Sequence, residues 1–178
     1  DYKILLENYN LSQGFVNFFK VFLTPSLTAV YLYRLAHYFY FKNLRLISRF
    51  FYIINIVLTG ADIVPTSKID EGLIIIHPVS VIIHCKIGRN CTIFGQNALG
   101  GDPFAEPLDV GAGLGLALIG DNVFVGLGAK VLGPVKVGNN VIIGAAALVI
   151  DSVPDNSVVA GIPAKILRIR DVVQDNKG

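Results

Sequence analysis

The chain carries an aliphatic residue at every sixth position along two stretches that are separated by one interruption. Every position of this series holds Ile, Leu or Val: Ile63, Ile69, Ile75, Val81, Ile87, Ile93, Leu99, Ile119, Val125, Val131, Val137, Ile143 and Val149. A period of six matches neither an α-helix, which repeats after about 3.6 residues, nor an isolated strand, which repeats after about 2. It is typical of a coil in which short strands alternate with bends.

Small or β-branched residues occupy the fifth place of most hexads, counted from the aliphatic residue. The fifth-place set is Ser67, Leu73, Val79, Cys85, Cys91, Asn97, Val123, Ala129, Val135, Val141, Ala147 and Val153. We expect this set to point inward as well, because a narrow coil has room for little more. The pattern predicts a mainly β protein whose parallel β-helix covers residues 61–170, with an inserted loop at residues 102–118.

Residues 1–60 show a different pattern, with apolar patches at helical spacing. The patches contain Phe15, Val16, Phe18, Phe19, Val21 and Phe22, and then Val30, Tyr31, Tyr33, Leu35, Ala36, Tyr38 and Phe39. Pro25 and Lys42-Asn43 interrupt them, which predicts a small α-helical N-terminal region of two or three helices. The longest uncharged stretches hold thirteen and twelve residues, too few to cross a bilayer.

This N-terminal region is basic, with six Lys/Arg against two Asp/Glu. Two interpretations remain open. In the first, the helices pack on the coil and on other subunits, because the end of a solenoid needs a cap. In the second, their basic and aromatic surface makes peripheral contact with an anionic membrane. We expect a cytoplasmic protein, which in the second interpretation would lie at the inner face of the membrane. We also expect residues 171–178 to form a C-terminal tail.

Composition favours a packed core that needs no disulfide bonds, since 53% of the 178 residues are hydrophobic. Cys85 and Cys91 both occupy the fifth place, without a His at ligand spacing. We interpret them as core residues rather than as a redox pair or a metal site. Basic residues are too sparse to indicate a nucleic-acid partner. The chain has no Met, and we therefore expect its natural start to precede Asp1.

Several short segments resemble a known family. They are Tyr33-Arg34-Leu35-Ala36-His37, Gly60-Ala61-Asp62-Ile63, Gly72-Leu73-Ile74-Ile75-Ile76-His77, Gly100-Gly101 and Val159-Ala160-Gly161-Ile162-Pro163-Ala164-Lys165. The chain resembles the hexapeptide-repeat transferases, and within them serine acetyltransferase and its relatives that acetylate cell-surface saccharides. The resemblance implies a left-handed parallel β-helix, a homotrimer or dimer of trimers, and acetyl-CoA, bound between neighbouring coils, as the acyl donor without a metal.

Acetyl transfer to an alcohol needs a base for the hydroxyl proton and donors for the developing oxyanion. The chain has three histidines. We interpret His37 as a hydrogen-bonded structural residue of a helix. His77 stands in the third place of its hexad, before Pro78, where a side chain can leave the coil, and the resemblance matches it to the family's catalytic histidine.

His84 is a second catalytic candidate, with a surface role as the alternative. Asp102 follows it by eighteen residues, about one turn of the coil. The two would therefore stack if the Leu99 hexad keeps its phase, and a carboxylate can orient a histidine.

The resemblance also carries over residues for the acyl donor: Gly101, Leu127, Ala145 and Lys165. Small residues at an edge let an extended pantetheine arm hydrogen-bond along the coil. Arg168 and Arg170 would meet the nucleotide phosphates, unless they belong to a solvated tail. An acyl carrier protein presents the same arm and stays open as an alternative donor.

Departures from serine acetyltransferase bear on the acceptor. Ile76 replaces the Asp that precedes the family's catalytic histidine, and the loop 102–118 contains no Arg and no His. Free serine needs opposite charges for both of its ends. We therefore predict transfer to a hydroxyl of a saccharide or related metabolite of envelope or capsule synthesis. The alternatives are a serine O-acetyltransferase of cysteine biosynthesis and a non-catalytic trimeric scaffold.

Overall fold

A computed structural model describes residues 24–104 and 106–171. It begins with two helices, α1 (Pro25–Phe41) and α2 (Arg45–Thr59). Short strands follow: β1 (Asp62–Ile63), β2 (Lys68–Ile69), β3 (Ile74–Ile76), β4 (Ile82–Ile83), β5 (Lys86–Ile87), β6 (Thr92–Phe94), β7 (Ala98–Gly101), β8 (Leu118–Ile119), β9 (Phe124–Val125), β10 (Lys130–Gly133), β11 (Lys136–Val137), β12 (Ile142–Ile143), β13 (Leu148–Val149), β14 (Ser157–Gly161) and β15 (Ala164–Ile169). The predicted apolar patch at Phe15–Phe22 and the tail after residue 171 lie outside the described residues.

The strands form three sheets that the chain visits in turn. The first sheet has the order β1-β4-β7-β10-β13, the second β2-β5-β8-β11, and the third β3-β6-β9-β12-β14-β15. Neighbours pair in parallel, except that β15 folds back antiparallel on β14 at the end of the coil. Successive strands thus occupy successive faces, which confirms the predicted parallel β-helix.

All members of the sixfold series are buried, and they form one continuous core along the coil. Each buried Ile or Val contributes roughly 1.5–3 kcal/mol relative to an exposed side chain. Cys85 and Cys91 lie in this core, as predicted. Burial raises the pKa of both thiols, that of Cys91 to about 11.

The sixfold series predicts the wrong residue for one strand position, at Val81. Ile83, not Val81, pairs with Ile63 on one side and with Leu99 on the other. The step from Ile75 to Ile83 therefore takes eight residues, and the step from Ile83 to Ile87 takes four. Val81 is buried in the second inward place instead.

The longer step also overturns one inward prediction. Val79 is 62% exposed, whereas the other members of the fifth-place set are buried. His77 and Ser80 both have a φ of 58°, the left-handed region, so the chain bends twice around Val79 and turns it outward.

Stacked asparagines hold the corners between the second and third sheets in register. They are Asn90, Asn122, Asn140 and Asn156, each with a positive φ. Their side-chain amides are joined by hydrogen bonds of 3.4, 3.1 and 3.0 Å. Asn tolerates the left-handed conformation better than most residues, which explains why it recurs at this corner.

Helix α1 packs on the first turn of the coil through Tyr33, which is fully buried. The Tyr33 hydroxyl donates to the carbonyl oxygen of Ser67 at 2.7 Å, and burial raises its pKa to about 12. His37 Nδ1 lies 2.9 Å from the carbonyl oxygen of Pro65, so His37 is hydrogen-bonded as predicted. Among the described residues, no helix is long and apolar enough to cross a bilayer.

Candidate active site

His77 lies at an exposed corner between the third and first sheets, directly after β3. Its peptide passes close to the next turn of the coil: a Cβ on Gly95 would come within 2.3 Å of the His77 carbonyl oxygen. Only a glycine fits there without moving the corner. The sequence therefore places a rigid backbone contact directly behind this histidine.

The His77 corner is longer than the corners stacked on it, since it spans the eight-residue step. The Ser80 amide donates to the carbonyl oxygen of Gly60 at 3.0 Å, and the Gln96 amide donates to that of Val79 at 3.2 Å. The protruding corner is thus tied to the end of α2 on one side and to the next turn on the other. A strict period of six in the sequence does not predict this longer corner.

The outer face beside His77 is apolar. Ile76, the residue before it, pairs with Phe94 of the next strand. The Phe94 ring lies 5.3 Å from the Phe124 ring, centroid to centroid. The position at which serine acetyltransferase carries an Asp is therefore part of an aliphatic and aromatic wall, which offers contact area to a ligand but no charge.

His84 occupies a different corner, between the first and second sheets, directly after β4. Its Nε2 lies 3.4 Å from the hydroxyl of Thr66. The predicted stacking of Asp102 on His84 is wrong, because β4 and β7 pair with an offset of sixteen residues and bring Gly100 beside His84. A Cβ on Gly100 would lie 3.4 Å from the His84 carbonyl oxygen.

Asp102 instead organises the start of the inserted loop. One of its carboxylate oxygens accepts a hydrogen bond from the Phe104 amide at 2.9 Å. Its own amide donates to the carbonyl oxygen of Gly133 at 2.8 Å. The first contact lies within the loop and the second joins its start to β10, so both give Asp102 a role in shaping the loop.

The loop departs from the coil after β7 and returns at β8, close to the predicted limits. Asp109 accepts hydrogen bonds from the amides of Gly113 and Gly111, at 2.9 and 2.7 Å, and these bonds lower its pKa. Phe104, which is 96% exposed, and Leu114, 70% exposed, project from it. The loop thus presents apolar side chains and carboxylates on a backbone that is held by its own hydrogen bonds.

Three of the four residues that are predicted to bind the acyl donor follow His77 along one edge of the coil. We name the His77 edge as the corners between the third and first sheets, residues 77–81, 95–97, 126–129 and 144–147. Leu127 and Ala145 occupy its later turns, and the Ala146 amide donates to the Leu127 carbonyl oxygen at 2.8 Å. Lys165 pairs with Ala160, which lies against Gly144 at the far end of this edge.

Gly101 lies elsewhere, at the end of β7 and against the inserted loop. A Cβ on Gly101 would come within 2.8 Å of the Gly115 carbonyl oxygen. Among the basic residues near the last strand, Arg170 donates to the carbonyl oxygen of Asn140, while Arg168 is exposed. Gly101 is thus separated from the other residues that are predicted to bind the acyl donor. Arg170 makes a contact within the chain.

Short parallel strands coiled into three sheets are the architecture expected of the hexapeptide-repeat transferases. Residues 117–151 match the family model described as "Bacterial transferase hexapeptide (six repeats)". The chain is 36% identical over 149 residues to the serine acetyltransferase of Mycobacterium tuberculosis, covering 83% of this chain and 62% of that protein. It is 35% identical over 164 residues to that of Bacillus pumilus, covering 90% and 70% respectively.

A solved structure agrees with these relatives. The serine acetyltransferase of Brucella abortus in complex with coenzyme A superimposes with a TM-score of 0.73 and 28% identity, covering 80% of this chain and 56% of that one. The chain therefore belongs to the serine acetyltransferase family of hexapeptide-repeat transferases, and its coil is the left-handed parallel β-helix of that family. It spans 62% of the Mycobacterium tuberculosis relative, and thus only part of that protein's length.

Proposed function

We propose that this protein is an acetyl-CoA-dependent O-acetyltransferase in which His77 is the general base. The observation that carries this proposal is the His77 edge, where an exposed histidine is followed by Leu127 and Ala145 in later turns. An extended pantetheine arm that hydrogen-bonds along this edge would bring its thioester toward His77. The family relationship, which includes a coenzyme A complex of a relative, supports the same donor.

In the proposed reaction, the acceptor hydroxyl oxygen attacks the thioester carbonyl carbon while His77 takes up the hydroxyl proton. A tetrahedral intermediate forms, and backbone amides stabilise its oxyanion. The carbon–sulfur bond then breaks, the acetyl ester is released, and the coenzyme A sulfur leaves with the proton that His77 returns. No metal is needed to balance these steps.

We propose that the active unit is a homotrimer or a dimer of trimers. His77 and His84 lie at opposite ends of β4, on different corners of one coil. A site that used both histidines, or His77 together with the inserted loop, would therefore require two neighbouring chains. Light scattering that reports three or six copies would support the assembly, and an active monomer would contradict it.

Serine is the first acceptor candidate, because the relatives that show the family are named serine acetyltransferases. These relatives favour serine over the saccharide hydroxyl that the sequence alone predicts as the acceptor. A hydroxyl of a saccharide remains a second candidate on a specific observation. Ile76 and Phe94 form an apolar wall beside His77, and neither can pair with a serine ammonium or carboxylate.

The test is release of free coenzyme A thiol from acetyl-CoA, with serine and a panel of sugars as acceptors. Saturable release with serine alone supports serine, and preferred release with a sugar supports the second candidate. Acetylated acyl carrier protein, used in the same assay, tests the alternative donor. Absence of release with every acceptor would favour the non-catalytic scaffold.

His77→Asn is the sharpest variant, since Asn tolerates the φ of 58° at this position. Turnover should fall on the order of 100- to 10,000-fold, the usual contribution of a general base. Gln96→Asn is the matched control, because Gln96 has a similar φ of 61° on the same edge. Near-normal turnover by a correctly assembled His77→Asn protein would exclude His77 as the base.

A further inference from the structure

Helix α2 buries its polar side and exposes its apolar side. Ser48, Asn55 and Thr59 are 2%, 1% and 4% exposed. On the opposite side lie Leu46, Phe50, Ile53 and Val57, which are 87%, 60%, 47% and 75% exposed. These four recur at the helical spacing that forms one continuous stripe, which we name the α2 stripe. A helix that faced water would show the reverse arrangement.

Hydrogen bonds to α1 fix this orientation. Ser48 Oγ donates to the Ala36 carbonyl oxygen at 2.7 Å, and Asn55 Nδ2 donates to that of Ala29 at 3.0 Å. Rotating α2 to bury the stripe would break both of these buried hydrogen bonds between the helices. Small and polar contacts between helices, with apolar side chains outside, are the arrangement of helices in contact with lipid.

The charge of the helical pair points to an anionic partner. Residues 24–61 contain four Lys/Arg and no Asp or Glu. Arg45 and Arg49 lie one turn apart beside the α2 stripe, over the rings of Tyr40 and Tyr52 at 5.0 and 5.4 Å. These four residues line part of a cleft of about 290 Å³. An apolar stripe flanked by arginine is typical of a helix that lies in a membrane interface.

We propose that the α2 stripe docks on an anionic lipid surface, with α2 in the plane of the interface and Arg45 and Arg49 at the level of the headgroups. A second copy of the chain fits this face less well. A pairing through the stripe would bring together two helical pairs that each carry net positive charge. The two helices contain no carboxylate, and Asp62, which follows α2, already accepts a hydrogen bond from the Tyr52 hydroxyl at 2.7 Å.

The experiment is co-sedimentation of the full chain with vesicles of phosphatidylcholine, with and without phosphatidylglycerol. We expect binding to the anionic vesicles, weakened by salt. Phe50→Asn with Val57→Asn should lower the partition coefficient on the order of tenfold or more, and Arg45→Gln with Arg49→Gln severalfold. Both pairs are on the surface, so circular dichroism should show an unchanged fold. The matched control is Ile162→Asn with Leu167→Asn, which replaces residues that are 73% and 66% exposed at the other end of the coil.

Three results would overturn the proposal. The first is no binding of the unaltered chain to anionic vesicles, as expected if another part of the chain covers the stripe. The second is equal loss in the control pair, which would indicate nonspecific adhesion. The third combines two observations: the chain does not bind vesicles, and its oligomeric mass in vesicle-free buffer is smaller in the variant Phe50→Asn with Val57→Asn. That result would assign the stripe to a second copy of the chain. None of these readouts depends on acetyl transfer.

Discussion

Replacing Gly95 with alanine should test whether the backbone behind His77 controls both stability and turnover. The added Cβ would lie 2.3 Å from the His77 carbonyl oxygen, roughly 1 Å closer than a comfortable contact. The obstructing atom belongs to the backbone of a corner that is hydrogen-bonded on both sides, so the strain cannot be relieved by a side-chain rotation. Overpacking of this kind costs about 1–3 kcal/mol.

Two assays separate the effects of Gly95→Ala. A cost of about 2 kcal/mol should lower the unfolding midpoint by roughly 4–8 °C for a chain of this size. If His77 is the base, a displacement near 1 Å should also lower turnover on the order of 100-fold. Gly100→Ala is the matched control, because its Cβ would meet the His84 carbonyl oxygen at an ordinary 3.4 Å. Full stability and full turnover in Gly95→Ala would refute the reasoning.

The remaining predictions concern the helices and the acceptor. Tyr33→Phe removes the hydrogen bond to Ser67 and should cost about 1 kcal/mol at neutral pH. Because the pKa of Tyr33 is raised from 10.0 to about 12, the stability that this hydroxyl adds is complete below pH 10 and is lost as the pH rises toward 12. A pH series of urea titrations should therefore show a smaller alkaline loss in Tyr33→Phe, and an equal loss would contradict the assignment. Asn55→Leu removes the hydrogen bond to the Ala29 carbonyl oxygen and should lower the free energy of unfolding by about 0.5–1.5 kcal/mol, whereas exposed Ile53→Asn should change it little. Ile76→Asp should lower the KM for serine if the acidic side chain is what the serine ammonium lacks, and an unchanged KM for serine would count against that role.

The sequence was sufficient to predict the coil, because its period of six is set by the strand and the bend that each turn repeats. It could not predict the corner at His77. Val81, Ile82 and Ile83 are all aliphatic, so periodicity alone cannot decide which of them occupies the strand position. The hydrogen bonds from Ser80 to Gly60 and from Gln96 to Val79 decide it, and these join residues that are distant along the chain.

The same limitation explains the two other differences. The stacking of Asp102 on His84 assumed a constant turn length, and the short step after Ile83 changes the partner to Gly100. For α2, the sequence showed an uncharged stretch of twelve residues but not which side of the helix is buried. Ser48 and Asn55 fix that side through carbonyl groups of α1, a contact that no local pattern within α2 encodes.

The placement of α2 also links lipid docking to the candidate site. Gly60 ends the helix with a φ of 72°, and a Cβ there would lie 3.3 Å from Val79 Cα, two residues from His77. A chain that docked through the α2 stripe would therefore hold the His77 corner close to the headgroups. Such a position confers no advantage on an enzyme whose acceptor is dissolved serine, whereas it raises the local concentration of an acceptor carried by a lipid. Anionic vesicles should consequently leave serine turnover unchanged. An increase in serine turnover on adding vesicles would instead mean that docking alters the conformation of the corner itself.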